Sequence, residues 1–476
     1  MARTQRAATV RGTAAANGAG KLAASVAARI VDDVAGRGWP VGEVIGSEAE
    51  LLERYGVSRA VFREAVRLVE HQHIASMRRG PGGGLVVTEP DVAAVIDAAV
   101  IYLLRVGARL DELFEARLVI EEIVTEVAPE RLDEPGITSI RAQVEDEAAG
   151  RIVDQRALHT LLARLTGNPA LELFVEMLSR LSVFYFGDMS EVPHATVGAV
   201  GVAHRKIAEA VCAGDGGLAR RRMTTHLRAE AEFIRSRRNT RQALNPAAAI
   251  RGREGGKRAE AVARAIFGQV VEQGLEPGTF LGSEPDLISE HEVSRAVLRE
   301  AVRLLEHHQI AAMRRGPGGG LFVVPEDVTA VCDVIAVYLE RHGVQARHLA
   351  EMRVGVELAL VDLVLARPRE QVEARLVEAL RAEQEAPFEE VVDVVHDLHT
   401  ALASLGGNLV LELLARILIR LTRLQELQRP ARVRRAIRTE LHRTHAGIGE
   451  ALVSGDRDLA RHRLSEHLQV LAEVAR

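Results

Sequence analysis

The chain has 476 residues, a formal net charge of −5, 47% hydrophobic residues and only 3% aromatics. That length suggests three or four domains, and the shortage of aromatics leaves Leu, Val, Ile and Ala to build the cores, which favours helices packed on helices. The acidic balance argues against indiscriminate polyanion binding, so any nucleic-acid surface must be local.

In chain order, residues 1–20 are basic and small but lack an apolar core segment, which predicts a disordered arm rather than a signal peptide. Leu22, Val26, Ile30 and Val34 form one stripe at spacing four, a helix stopped by Gly36, Gly38 and Pro40. Ser47 is placed to cap a short second helix that Gly56 breaks. Ser58 is placed to cap a third, with Val61, Ala65, Leu68 and Val69 on its buried face. Met77, Arg78 and Arg79, the glycine-rich run from Gly80 to Gly84, and Leu85 to Val87 then read as strand, turn, strand. Helix, helix, turn, helix, hairpin is the order of a winged helix-turn-helix, assigned here to 21–90. Residues 91–235 carry helical periodicity with few strand signals. Residues 236–256 are polar, basic and punctuated by Gly and Pro, a linker.

The whole pattern then recurs. The segment from Gly42 to Val87 aligns with Gly278 to Val323 at an offset of roughly 236, and about 30 of the aligned positions are identical. The second copy assigns a winged module to 257–326 and a helical domain to 327–476. The expected fold is therefore mainly α: two winged helix-turn-helix domains, each with a small β-hairpin wing, and two all-helical bundle domains in a tandem pseudo-dimer. Cys212 and Cys332 are not equivalent between copies and form no CxxC pair, so neither a disulfide framework nor a thiolate metal site is expected. No apolar run approaches about 18 residues without a charge, so no membrane span is expected and the expected location is cytoplasmic.

Arg59, Arg63 and Arg67 stand four apart on the third helix, one stripe with Ser58 at its start. Arg78, Arg79 and Gly80 add a basic, close-approaching wing. Ser294, Arg295, Arg299, Arg303, Arg314, Arg315 and Gly316 repeat the set. Arg on a helix can address guanine edges or phosphates from the major groove. The plainer reading, a solvated Arg face paired with Glu64, suits any single arginine better than a duplicated stripe. The run RRGPGGG lacks a GK[ST] ending and a following helix, which disfavours a phosphate loop.

These motifs resemble GntR-type regulators of the FadR subgroup. The shared residues are Ser47-Glu48, Val57-Ser58-Arg59, Arg63-Glu64-Ala65 and Arg78-Arg79-Gly80, matched in the second copy. The resemblance implies operator DNA as target, with Arg59, Arg63, Arg295 and Arg299 as contacts. Two departures stand out. Ala49 and Pro285 replace an arginine common in the family, and Glu292 replaces the turn glycine Gly56, which predicts strain and a weaker second head.

Downstream, the chain resembles the helical FCD effector domain of the same family. Glu115-Ala116-Arg117 with Glu121, and Glu351-Met352-Arg353 with Glu357, match its ExRxxxE start. His159 with Gly167-Asn168, and His399 with Gly407-Asn408, match its H…GN segment. His204 and His226 lie 22 residues apart, as do His445 and His467. The resemblance implies three histidines per copy converging on a divalent metal, Zn or another transition ion, with an Asp four residues before the first. Gln155 and Val395 occupy that place, so Asp154 in copy one and His396 in copy two are the candidates to compensate. Arg117, Asn168, Arg353 and Asn408 are the candidate ligand-binding residues, the arginines for a carboxylate; an ion pair of Arg117 with Glu115 or Glu121 on the helix surface is the plainer reading.

The expected protein is a non-enzymatic, nucleoid-associated regulator. It would read double-stranded pseudo-palindromic DNA and answer to a small organic acid or acyl effector. The intrachain pseudo-dimer leaves pairing of two chains open. A helical metal-dependent enzyme and a ligand-free architectural DNA-binding protein are the alternatives.

Overall fold

A computed structural model describes the chain from residue 22 onward, except residues 24, 28, 35, 72–73, 79, 81, 90–91, 152–153, 187–193, 239–256, 315, 317, 386–396, 428–430 and 475–476. It divides into two compact units, one of residues 1–95 with 333–341 and one of 96–332 with 342–476.

The first unit is a winged head. Its elements are α1 (22–34), β1 (Val44–Gly46), α2 (Glu48–Tyr55), α3 (Arg59–His71), β2 (Ala75–Arg78) and β3 (Gly84–Val87). Ser47 and Glu50 form a capping box on α2: the Glu50 amide donates to Ser47 Oγ at 3.3 Å and the Ser47 amide to Glu50 Oε2 at 2.8 Å. Gly56, at φ 65°, ends α2 in the left-handed conformation that glycine adopts without cost. Helix α3 buries Phe62, Ala65, Val66 and Val69 against Ile30, Val34, Leu51 and Leu85. Val61 and Leu68, expected at its buried face, are only partly buried. The arginine stripe fixes the outer face, and the fully buried line runs through Phe62 and Val66 instead.

The wing has three strands rather than two. β2 pairs antiparallel with β3, and β1 adds on the other side, Val44 opposite Val86. β1 is three residues long with an irregular register, too short for alternation to reveal. The sheet explains one wing glycine: a Cβ on Gly84 would lie 2.5 Å from the Gly46 carbonyl oxygen, so only glycine lets the strands close.

The first unit also takes in the end of a helix from the second copy, α14 (Val328–Arg341). Val337 joins the core of the first head, and Arg341 donates to the Thr88 carbonyl at 3.1 Å.

The second unit contains the first helical domain, the second head and the second helical domain. The first domain follows α4 (Val92–Arg105) and comprises α5 (Leu110–Arg131), α6 (Glu134–Ala148), α7 (Ala157–Leu165), α8 (Pro169–Phe186), α9 (His194–Cys212) and α10 (Gly216–Arg238). The second head comprises α11 (Lys257–Glu272), β4 (Phe280–Gly282), α12 (Glu284–Glu290), α13 (Arg295–His307), β5 (Ala311–Arg314) and β6 (Gly320–Val323), with the same strand order as the first. The second domain comprises α15 (Ala346–Leu365), α16 (Arg369–Glu385), α17 (Asp397–Gly406), α18 (Leu409–Leu427), α19 (Ala431–Ser454) and α20 (Arg457–Val474). Arg105, the counterpart of Arg341, donates to the carbonyls of Gln309 and Val324 on the second head. Each copy's connecting helix thus ends on the head of the other copy.

The two helical domains pack through α5 and α15, so closely that a Cβ on Gly355 would lie 2.7 Å from Ile123 Cδ1. Among the described residues, no helix is long and apolar enough to cross a membrane.

Glu292 carries the expected strain, sitting at φ 49° where the first head has Gly56. Left-handed backbone costs a side chain about 1 kcal/mol relative to glycine. Glu292→Gly is therefore expected to slow hydrogen exchange across α12 and α13 by roughly five-fold, an effect of about 1 kcal/mol. Unchanged exchange would mean that the surrounding turn already relieves the strain.

Candidate nucleic-acid interface and metal centre

The turn between α2 and α3 aims α3 outward. Ser58 Oγ accepts from the Val61 amide at 3.4 Å, and Ser294 Oγ from the Val297 amide at 3.3 Å, starting each third helix where the turn ends. Arg59, Arg63 and Arg67 lie exposed on one face of α3, and Arg295, Arg299 and Arg303 on one face of α13. The expected partner Glu64 holds only Arg67, at 3.0 Å; Glu300 likewise holds Arg303. Arg59 and Arg63 each approach Glu48 at 3.3 Å, and Arg295 and Arg299 share Glu284. Those two acids stand at the start of α2 and α12. Sequence spacing within α3 gave no sign of them.

On the wings, Arg78 donates to the Gly82 carbonyl at 3.1 Å, and Arg314 lies 4.3 Å over the Phe322 ring. Gly80 and Gly316 take φ of 103° and 104° at the matching turns. Arg79 and Arg315 lie outside the described residues.

In each helical domain three histidines from three helices meet. His159 of α7, His204 of α9 and His226 of α10 form one group; His399 of α17, His445 of α19 and His467 of α20 form the other. Within each group the donor atoms lie within 4.8 Å of one another, and all six residues are buried. The second group shows the logic most fully. His399 Nδ1 donates to Glu357 Oε2 at 2.5 Å and His445 Nδ1 to Glu383 Oε1 at 2.8 Å. His467 Nδ1 donates to Thr444 Oγ1 at 3.0 Å, and that hydroxyl gives its own proton to the Leu441 carbonyl. Each ring then keeps a lone pair on Nε2. His467 Nε2 lies 3.2 Å from both His399 Nε2 and His445 Nε2. Three inward lone pairs repel unless a cation sits among them.

The first group repeats this with His159 Nδ1 on Glu121 and His204 Nδ1 on Glu147 Oε2 at 2.8 Å. His226 Nε2 lies 3.3 Å from His159 Nε2, and His204 Nε2 is buried without a hydrogen-bond partner among the described residues. Nitrogens sharing one tetrahedral zinc at about 2.0–2.1 Å would stand roughly 3.3 Å apart, so both groups fit such an ion.

The electrostatics agree. Burial pushes the His399 pKa down to about 4, and burial also lowers His204 and His226. Burial thus favours the neutral form of His204, His226 and His399, the form in which a ring ligates metal. Burial alone would raise Glu121 and Glu357, yet Arg117 with His159, and Arg353 with His399, hold these carboxylates down to about 2. They remain ionised and orient the rings.

Arg117 and Arg353 are buried beside the groups, contrary to the helix-surface ion pair as the plainer reading. Arg117 Nε donates to Glu121 Oε1 at 2.8 Å and Arg353 Nε to Glu357 Oε1 at 2.7 Å. Arg117, Gln155 and the first three histidines line a cavity of about 380 Å³ that adjoins a more apolar one of about 600 Å³.

Other candidates are not brought in. Asp154 lines the cavity but is clasped by Arg156 at 2.7 and 2.8 Å, an ion pair that lowers its pKa. Val395 and His396 lie outside the described residues. Asn168 and Asn408, read as ligand contacts, instead join the two copies. Their Oδ1 atoms cap α8 and α18, and their Nδ2 atoms cross to the other domain. Asn168 donates to the His348 carbonyl and to Glu351, and Asn408 to the Glu112 carbonyl and to Glu115. The turn before α8 and α18 faces α15 and α5, not the histidines. The sequence reading missed Glu147, Glu230, Glu383 and Thr444. Of these, Glu230 was detectable as the residue one helical turn after His226.

A model of the FCD domain matches the chain twice, over residues 112–229 and 348–470. The chain is 28% identical over 226 residues to an uncharacterized HTH-type transcriptional regulator of Mycobacterium tuberculosis, covering 44% of this chain and 87% of the relative. It is 26% identical over 197 residues to the HTH-type transcriptional regulator LutR of Bacillus subtilis, covering 39% of this chain and 89% of the relative. Among solved structures it is similar to Streptococcus agalactiae GntR, at 21% identity and a TM-score of 0.32, covering 44% of this chain and 99% of that one. Each relative is spanned almost in full by less than half of this chain.

Proposed function

Since FCD domains account for more than half of its residues, the chain belongs to the FCD-domain family of GntR-type regulators, and we propose that it is a ligand-responsive transcription regulator whose two heads read DNA from one polypeptide. The observation that carries this is the duplicated arginine face. Arg59, Arg63 and Arg67, and again Arg295, Arg299 and Arg303, project from the helix that a helix-turn-helix presents to the major groove. Four described arginines per head, Arg78 and Arg314 of the wings included, concentrate positive charge on a chain that is acidic as a whole. Such a surface binds phosphates locally and reads bases through the stripe.

The helical domains are the sensing part. Their histidines would hold zinc or another divalent transition ion, which supplies a Lewis-acidic position for an oxygen ligand. Arg117 and Arg353, one carboxylate away from the rings, are placed to grip a small organic acid. The histidines under this reading sense and do not catalyse. Asn168 and Asn408 tie each domain to the other, so a ligand with different affinity for two arrangements of the pair would bias both heads. The two heads would read two similar half-sites of a pseudo-palindromic operator.

Selection of bound sequences from random duplex DNA tests the reading. Enrichment of two related half-sites at fixed spacing is expected. Failure to enrich any sequence across a range of salt concentrations would sink it.

A further inference from the structure

The two helical domains meet across a pseudo-twofold axis, because the same contacts run both ways. Asn168 Nδ2 donates to Glu351 Oε2 at 3.0 Å and Asn408 Nδ2 to Glu115 Oε2 at 2.8 Å, and Glu115 and Glu351 occupy matching places on α5 and α15. Between identical subunits such an interface is self-complementary, each residue facing its own counterpart or a reciprocal neighbour. This one is not. On α5 the residues at the contact are Val119 and, one turn on, Ile123; their counterparts on α15 are Gly355 and Ala359. A Cβ on Gly355 would lie 2.7 Å from Ile123 Cδ1, 3.2 Å from Ile123 Cγ1 and 3.7 Å from Val119 Cγ1. Ile123 therefore fills the space that a side chain at 355 would take. The axis matches Val119 with Ala359 in the same way.

Glycine is destabilising inside a helix of 20 residues. The backbone at Gly355 is ordinary α-helix without a positive φ, so no turn demands it. What demands it is Ile123. Size then decides which pairs fit. Two α5 helices would press Ile123 onto a second Val119, where a single added carbon is already too close, and overpacking of that kind is destabilising. Two α15 helices would set Gly355 and Ala359 against their own copies and leave a gap where the larger side chains belong, which is destabilising as well. Only α5 against α15 fills the space without a clash.

We propose that α5 and α15 form a knob and socket specific for unlike copies, so that the first helical domain takes a second helical domain of this chain as its partner and excludes another first domain. The knobs are Val119 and Ile123, and the socket is Gly355 and Ala359. Under the DNA-reading role argued above, every assembly built on this contact presents one first head with one second head, never two alike. The pairing itself does not depend on that role.

Thermal melts of four forms of the full chain test this. Gly355→Val with Ala359→Ile puts knobs on both helices, and Val119→Gly with Ile123→Ala puts sockets on both. All four substitutions together exchange knob and socket. Each like-with-like form is expected to melt roughly 2–8 °C below wild type, and the exchanged form to melt above both. Helix propensity does not produce that pattern: Gly355→Val removes a helix-interior glycine, and the exchanged form carries the same four side chains as wild type on opposite helices. Either like-with-like form melting at or above wild type would overturn the proposal, as would an exchanged form that fails to melt above both. Neither result bears on operator selection, which judges the DNA-reading role separately.

Discussion

Arg63→Ala is expected to erase one half of the selected operator motif, and Arg299→Ala the other half. A single base-reading or phosphate-gripping arginine contributes about 1–3 kcal/mol, so each variant should bind the selected duplex roughly 5- to 150-fold more weakly. The two losses should differ. In the first head Arg63 is 66% exposed and held to Glu48 by one contact at 3.3 Å. In the second, Glu284 takes Arg295 through two nitrogens, at 3.0 and 3.1 Å, besides approaching Arg299 at 3.4 Å. DNA must compete with that clamp, and Glu292 adds a negative charge and backbone strain to the same turn. The second half-site should therefore be the looser one, and Arg299→Ala the milder variant. Fluorescence anisotropy on the selected duplex, repeated at several salt concentrations, separates the outcomes. The double variant should lose approximately the sum of the two, because the arginines sit on separate heads. Retention of both half-sites by both variants would remove the arginine faces from the reading surface.

Much of this was legible in the sequence because it is carried by local signals. Capping serines, turn glycines and a stripe at spacing four depend on neighbours in the chain, and duplication doubled each signal. Helix α3 and its outward arginines follow from such cues. The histidine groups were legible only through repeated spacing and family resemblance. Periodicity says that His159 sits on a helix, but not that α9 and α10 bring His204 and His226 to the same point. The residues that orient them were hidden for the same reason. Glu147 and Glu383 belong to helices whose packing partners no local pattern names. Asn168 was misplaced because an N-terminal cap beside a ligating histidine looks alike whether it faces the cavity or the other copy. The exchange of connecting helices was also invisible: Arg105 and Arg341 read as ordinary helix-ending cations, and only their distant carbonyl partners give them another role.

Metal removal should produce the largest change in stability. Each histidine group turns three lone pairs inward, so the metal-free state leaves buried acceptors facing one another while ionised Glu121 and Glu357 hold the rings in place. Metal binding only to the folded chain stabilises it by about 4 kcal/mol per site when free metal exceeds its dissociation constant a thousandfold. Elemental analysis is expected to find two ions per chain, and a strong chelator should lower the melting temperature by several degrees. Re-addition of zinc should restore it. His399→Ala and His159→Ala should each remove one ion and about half of the zinc-dependent increment. The increment, rather than the absolute melting temperature, is the informative quantity, because deleting a buried histidine also strands its glutamate partner at a cost unrelated to metal. The absence of any zinc-dependent shift would leave the converging nitrogens to be satisfied by protons instead.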